Sequence, residues 1–199
     1  MAKRMRSYSK SSKFHTLRGS IPATMGDAAT FGAPLESEIF TYESVDTSRA
    51  WKLKEAWVWT TNFTGVNGGD SRGLLQACLT TDEIAVRRTQ SQAGTRKYLQ
   101  QYMPSDNRTI AWCAQDLLVR DNTDADWIVQ DGGEMVPFLI DEDRIITRRL
   151  DLNTFLLSEG PDFSDDFFVN YYIVLEEVSI SVEHNVLEQL KGAGQDLES

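Results

Sequence analysis

The segment Phe167-Phe-Val-Asn-Tyr-Tyr-Ile-Val-Leu-Glu-Glu-Val-Ser-Ile-Ser181 constrains the fold more than any other part of the chain. Its aromatic and β-branched residues favour a strand. It is apolar on both faces as far as Leu175 and alternates afterwards, as a central strand would. A strand of that kind needs partners along both edges, so the rest of the chain is expected to supply them.

It does so repeatedly. Glu38-Ile-Phe-Thr-Tyr-Glu43 is short and alternating, and Trp51 to Phe63 is aromatic and β-branched, with Trp57 and Trp59 on one face. The turn cluster GVNGGDSRG (65–73) precedes Leu74-Leu-Gln-Ala-Cys-Leu79, and Thr109 to Val119 reads as a further strand before the acidic loop DNTDAD (121–126) and Trp127-Ile-Val. In Arg144 to Leu157, residues 146, 150, 152 and 156 share an apolar face, while 147, 149, 151 and 153 are polar, which predicts a strand with one wet side. Arg148 interrupts the apolar face, either as a buried, paired arginine or because that face meets another subunit. A short helix is expected from Ala93 to Tyr102. A second, of about nine residues, starts at the cap Ser181 with Val182, Val186 and Leu190 at four-residue spacing and closes at Lys191-Gly192. Many strands with little helix predict an all-β, antiparallel sandwich or barrel.

Charge divides the chain in two. The first twenty residues hold six of the 20 Lys and Arg and no acid; the remaining 14 cations face all 30 acids, which leaves the body at −16. Residues 1–34 are basic and rich in Ser, Gly, Ala and Thr, with no period, and read as a mostly flexible arm ahead of a folded domain at 35–199. Six cations on a tether follow a phosphate backbone without reading bases, so Lys3, Arg4, Arg6, Lys10, Lys13 and Arg18 are the expected nucleic-acid contacts. Tyr8 and Phe14 are placed to stack on unpaired bases. A solubilising tail is the plain alternative. Lys3-Arg4-Met-Arg6 also has the composition of a weak nuclear-import signal. There is no run of 18 apolar residues and no signal-peptide core, so no membrane partner is expected.

Catalytic chemistry finds little to work with. The two histidines, His15 and His184, are isolated, and no G-x-S-x-G or P-loop pattern occurs. Cys78 and Cys113 lack metal-ligand spacing and read as ordinary buried thiols. The acids cluster at 121–126, 141–143, 162–166 and 176–177. Asp121-x-Thr123-x-Ala125 fails the EF-hand spacing, so no metal or cofactor is assigned, although calcium shared between subunits stays open. The expectation is a protein that is not an enzyme.

Two stretches resemble a known family. Arg144-Ile-Ile-Thr-Arg-Arg-Leu-Asp-Leu is a late strand rich in basic and apolar residues, and Asn170-Tyr-Tyr-Ile-Val-Leu-Glu-Glu continues through Ser181, Glu183 and Leu190 to Gln195-Asp196. Together with the basic start, they resemble the coat proteins of small circular, replication-protein-encoding single-stranded DNA (CRESS-DNA) viruses. The resemblance covers about 50 residues with any specificity. It implies a single jelly roll of eight strands that self-assembles into an icosahedral shell, with the arm on the encapsidated single-stranded nucleic acid and Arg148 and Arg149 lining the interior or an interface. It places the protein in the virion, and in the host nucleus or cytoplasm during assembly. The arm is weaker than the family's usual arginine-rich arms. The alternative is a monomeric β-sandwich binding module, for carbohydrate for example, using exposed aromatics among Trp51, Trp57, Trp59, Trp112 and Trp127.

Overall fold

The long C-terminal strand β10 (Phe167–Ser179) lies between two neighbours, β1 (Phe14–Ala23) and β3 (Arg49–Thr61), in the central position expected of it. It belongs to a computed structural model that describes residues 13–23, 35–42, 48–61, 71–82, 107–121, 128–131, 134–158 and 167–195. The other elements are β2 (Leu35–Thr41), β4 (Ser71–Thr80), β5 (Thr109–Asp121), β6 (Ile128–Asp131), β7 (Val136–Pro137), β8 (Leu139–Ile140), β9 (Arg149–Ser158) and the helix α1 (Val182–Gln195).

The strands form two antiparallel sheets, one in the order β1-β10-β3-β7 and the other β2-β9-β4-β5-β6, with β8 also on β5. The pairs are nested about the middle of the chain: β1 with β10, β2 with β9, β3 with β7 and β4 with β5. Leu53, Val58, Ile173 and Leu175 from the first sheet meet Leu75, Leu79, Leu150 and Leu152 from the second in one core. The protein is therefore an all-β antiparallel sandwich with a short C-terminal helix. Each fully buried Leu or Ile contributes about 1.5–3 kcal/mol. Between β7 and β8 the buried Phe138 donates its backbone N–H to Ala56 O at 2.9 Å, so the chain steps from the first sheet to the second and closes one side of the sandwich.

A register shift at Val174/Leu175 sets Leu175 opposite Leu53 and Val174 opposite Glu55. The extra residue on β3 lets Leu53 and Ala56, an odd and an even position, both reach the core while Lys54 and Glu55 stay exposed. From Ala56 onward the parity is plain: Ala56, Val58 and Thr60 are buried, and Trp57 and Trp59 face the other way and are half-buried.

Several expectations are corrected. The segment assigned to a flexible arm, 1–34, contains a ten-residue strand, β1, paired with β10 along its whole length. Folded structure therefore includes residues 14–23 and is not confined to 35–199. Leu17 packs against the core and Ile21 belongs to it, while Gly19 between them sits opposite Tyr171, whose ring occupies the space a Cβ would need. Residues 144–148 are not strand; Ile146 makes an isolated bridge to Trp51, and β9 starts at Arg149. The supposed wet side of β9 is dry where it is described: Asp151 is 0% and Asn153 1% exposed, and Asn153 Nδ2 donates to Thr80 Oγ1 at 2.9 Å. Buried polar groups persist when they are paired in this way. The helix begins as expected, with Ser181 Oγ accepting from His184 N–H at 3.1 Å, but runs 14 residues through Gly192. The expected helix at 93–102 and the acids at 122–126 and 162–166 lie outside the described residues.

Candidate nucleic-acid interface

Of the six expected phosphate contacts, Lys3, Arg4, Arg6 and Lys10 lie outside the described residues, as does Tyr8. Lys13 and Arg18 are part of the folded body. Lys13 stands at the entry of β1, where its carbonyl accepts from Glu177 N–H at 2.8 Å. Its ammonium is 3.3 Å from Glu177 Oε2, and Arg49 Nη1 meets Oε1 of the same carboxylate at 2.7 Å. The Arg49 hydrogen bond, with Lys13 beside it, holds Glu177 below the usual carboxylate range. Two cations thus converge on one carboxylate next to the basic segment.

Arg18 sits differently. Its guanidinium lies 5.5 Å over the ring of Tyr172, and it has no carboxylate partner among the described residues. The register explains the contact: Arg18 on β1, Tyr172 on β10, Trp57 on β3 and Pro137 on β7 are directly opposite one another, so one row crosses all four strands on the outer face of the first sheet. The next row is Ser20, Asn170 and Trp59, and the one after it Pro22, Phe168 and Thr61. Phe14, at the arm end of the same face, is 62% exposed. Trp57, Trp59 and Tyr172 are half-buried, as large side chains on central strands are when only their neighbours flank them. Asn170 Nδ2 is committed to Thr61 Oγ1 at 3.0 Å and to Trp59 O at 3.5 Å. Trp57 and Trp59 share a face, a pairing already legible in the sequence; that Tyr172 and Arg18 join them follows only from the strand register.

The remaining candidates are elsewhere. Trp51, Phe40, Tyr42 and His15 pack together at ring separations of 5.7–6.3 Å, which ties β1, β2 and β3 together at one end of the core. That accounts for His15 and removes Trp51 from the exposed aromatics. Trp112 lies half-buried opposite Cys78 and Leu139, and Trp127 is outside the described residues. Arg148 is exposed, and its carbonyl accepts from Tyr42 N–H at 2.6 Å. Arg149, 20% exposed, pairs with Asp151 at 2.8 Å and lies 3.7 Å from Glu38. Arg144 braces the helix: it meets Glu188 at 3.7 Å, Asp141 at 3.4 Å and Asn107 Oδ1 at 2.8 Å. His184 lies 3.7 Å from Glu188 on the helix.

Among the described residues no group of three His, Cys, Asp or Glu side chains is arranged to hold a metal ion, and no helix is long and apolar enough to cross a membrane. Cys78 faces away from the core and Cys113 toward it, since they oppose Trp112 and Ala77 on the neighbouring strand. Burial pushes the Cys113 thiol up to about 12, which leaves it a poor nucleophile. No protein-family model matches the chain, and no curated protein sequence matches it either.

Proposed function

We propose that this protein is a viral capsid subunit of the single jelly-roll type, which assembles into an icosahedral shell around single-stranded nucleic acid. One observation carries the reading. The nested pairs β1:β10, β2:β9, β3:β7 and β4:β5, laid out as β1-β10-β3-β7 over β2-β9-β4-β5, support it, because a jelly roll wound from a folded-over chain would pair its strands in such a nested order. That order comes from hydrogen-bond register, so it is independent of the sequence resemblance to CRESS-DNA virus coat proteins.

Two further features support a subunit that works in multiples. The helix α1 turns its polar side inward, with Asn185 6% exposed and the Glu188 side chain 8%, while Val182, Val186, Leu187 and Leu190 are 49–60% exposed. An apolar stripe turned to water is the pattern of a surface that another copy covers. The basic first twenty residues on a body of −16 also suit a partition in which cations meet the genome and the acidic remainder keeps particles apart. With Lys13 and Arg18 in the folded body, sixty copies would bring about 240 charges from Lys3, Arg4, Arg6 and Lys10, one per phosphate, so these residues alone do not neutralise a genome of a few thousand nucleotides. The reading assigns the protein to the virion, with assembly in the host nucleus or cytoplasm, and gives it no enzymatic role.

The test is whether full-length protein expressed with its own single-stranded genome purifies with nuclease-resistant nucleic acid in a fast-sedimenting particle. Protein that sheds all nucleic acid and stays small under those conditions contradicts it.

A further inference from the structure

We infer that the outer face of the β1-β10-β3 sheet is a stacking platform for unpaired bases, formed by Tyr172, Trp57 and Trp59 with Arg18 and Phe14 at its arm-side edge. The inference rests in part on the proposed function, because it names how the folded body, as distinct from the basic segment, holds the same nucleic acid.

The geometry supplies what single-stranded binding requires. Neighbouring strands lie about 4.8 Å apart, and same-face residues along one strand about 7 Å apart. Tyr172 and Trp57 are cross-strand partners and Trp59 is the next same-face residue along β3, so three ring systems lie within the span of a few successive bases. Sheets that present aromatics in this way stack bases with little sequence preference, since every base has a π-face. Arg18 adds a cation with no carboxylate partner among the described residues, already held over one of the rings. Its strand continues directly into Lys13 and the basic segment, so a strand of nucleic acid following those cations arrives at Phe14 and then at the Arg18–Tyr172–Trp57 row.

The same face is poorly suited to a glycan. The Nδ2 donor of Asn170, at the centre of this face, is committed to Thr61 and Trp59. What remains in the Arg18–Tyr172–Trp57 row is ring surface and one cation, with Glu55 opposite Val174 in the next row and Glu176 paired to Lys54 beyond it, so the row itself favours stacked bases of any sequence. Such indifference is what packaging a whole genome requires.

The experiment uses full-length protein and a ten-nucleotide single strand carrying 5-bromodeoxyuridine, added before assembly, irradiated, and mapped by mass spectrometry. Adducts on Trp57, Trp59, Tyr172 or Phe14 are expected; adducts confined to residues 3–13 overturn the inference. In parallel, Trp57→Leu and Tyr172→Leu keep apolar bulk and remove the ring. With folding checked by circular dichroism, each is expected to weaken binding of an unmodified ten-nucleotide oligothymidylate by about 5- to 100-fold. The salt slope should hold near the wild-type value, because the phosphate contacts remain. Arg18→Gln is expected to lower that slope by about 0.7. Unchanged affinity in folded variants, or binding of a glycan array in place of the oligonucleotide, overturns the proposal. Shells that form normally while adducts stay on the basic segment sink the platform and spare the capsid reading; adducts on the rings of a protein that never assembles do the reverse.

Discussion

Arg149 directs both Nε and Nη2 at one oxygen of Asp151, Oδ1, at 3.1 and 2.8 Å, and leaves Oδ2 of this fully buried carboxylate without a hydrogen-bond partner among the described residues. Desolvation outweighs the guanidinium, so the Asp151 carboxyl titrates above its ordinary 3.8. An acid whose folded pKa is raised binds its proton more tightly in the folded state. Its contribution to stability is therefore complete below the unfolded value and is lost as pH rises through the folded one.

From this, Asp151→Asn, a neutral isostere that leaves the part-exposed Arg149 beside Glu38, is expected to cost less at pH 7 than removal of the arginine and to flatten the stability profile above about pH 4. Arg149→Ala strands a buried charge. It is expected to cost about 3–5 kcal/mol at pH 7 and clearly less near pH 4, where Asp151 takes up a proton. Urea unfolding across that pH range checks both signs.

Glu177 runs the other way. Arg49 and Lys13 hold its pKa below 4.5, so its contribution is present above that value and is lost as pH falls through the folded pKa. Glu177→Gln should remove that acid-side loss while leaving the neutral-to-alkaline profile unchanged, read by the same titration.

The boundary of the folded body is tested by truncation. Deleting residues 1–12 leaves β1 intact and is expected to shift Tm little while reducing nucleic-acid binding. Deleting 1–23 uncovers the edge of β10 and should give aggregated protein. Gly19→Val drives side-chain atoms into the Tyr171 ring and is expected to destabilise by about 1–3 kcal/mol or more, read from thermal unfolding.

The exposed stripe on α1 separates stability from assembly. Leu187→Ser and Leu190→Ser change residues 57% and 60% exposed, so monomer stability should move by less than about 0.5 kcal/mol. Particle yield, measured by light scattering at fixed concentration, should fall. A large drop in Tm with unchanged particle yield would assign the stripe to the subunit's own packing.

How far the sequence discloses this structure depends on how local each signal is. The two-sided apolarity of 167–175 announces a strand with neighbours on both sides, and Ser181 announces its helix, because both are written in contiguous residues. Strand β1 has the same alternation, Leu17-x-Gly19-x-Ile21 inward, but the middle inward position is a glycine whose volume is filled by Tyr171 from another strand, and the basic surroundings hide the rest. Asp151 and Asn153 look like surface because polar alternation does not reveal cover on a second face. The Arg18–Tyr172–Trp57 row joins residues far apart in the chain and exists only once register is set. For Arg148, exposed ahead of β9, the structure gives no account of its place in the sequence pattern.

The most direct measurement of the central claim is negative-stain electron microscopy, with sedimentation velocity, of the purified full-length protein at physiological salt. Closed particles of uniform diameter are the predicted result; a population of monomers that persists at high concentration would contradict it.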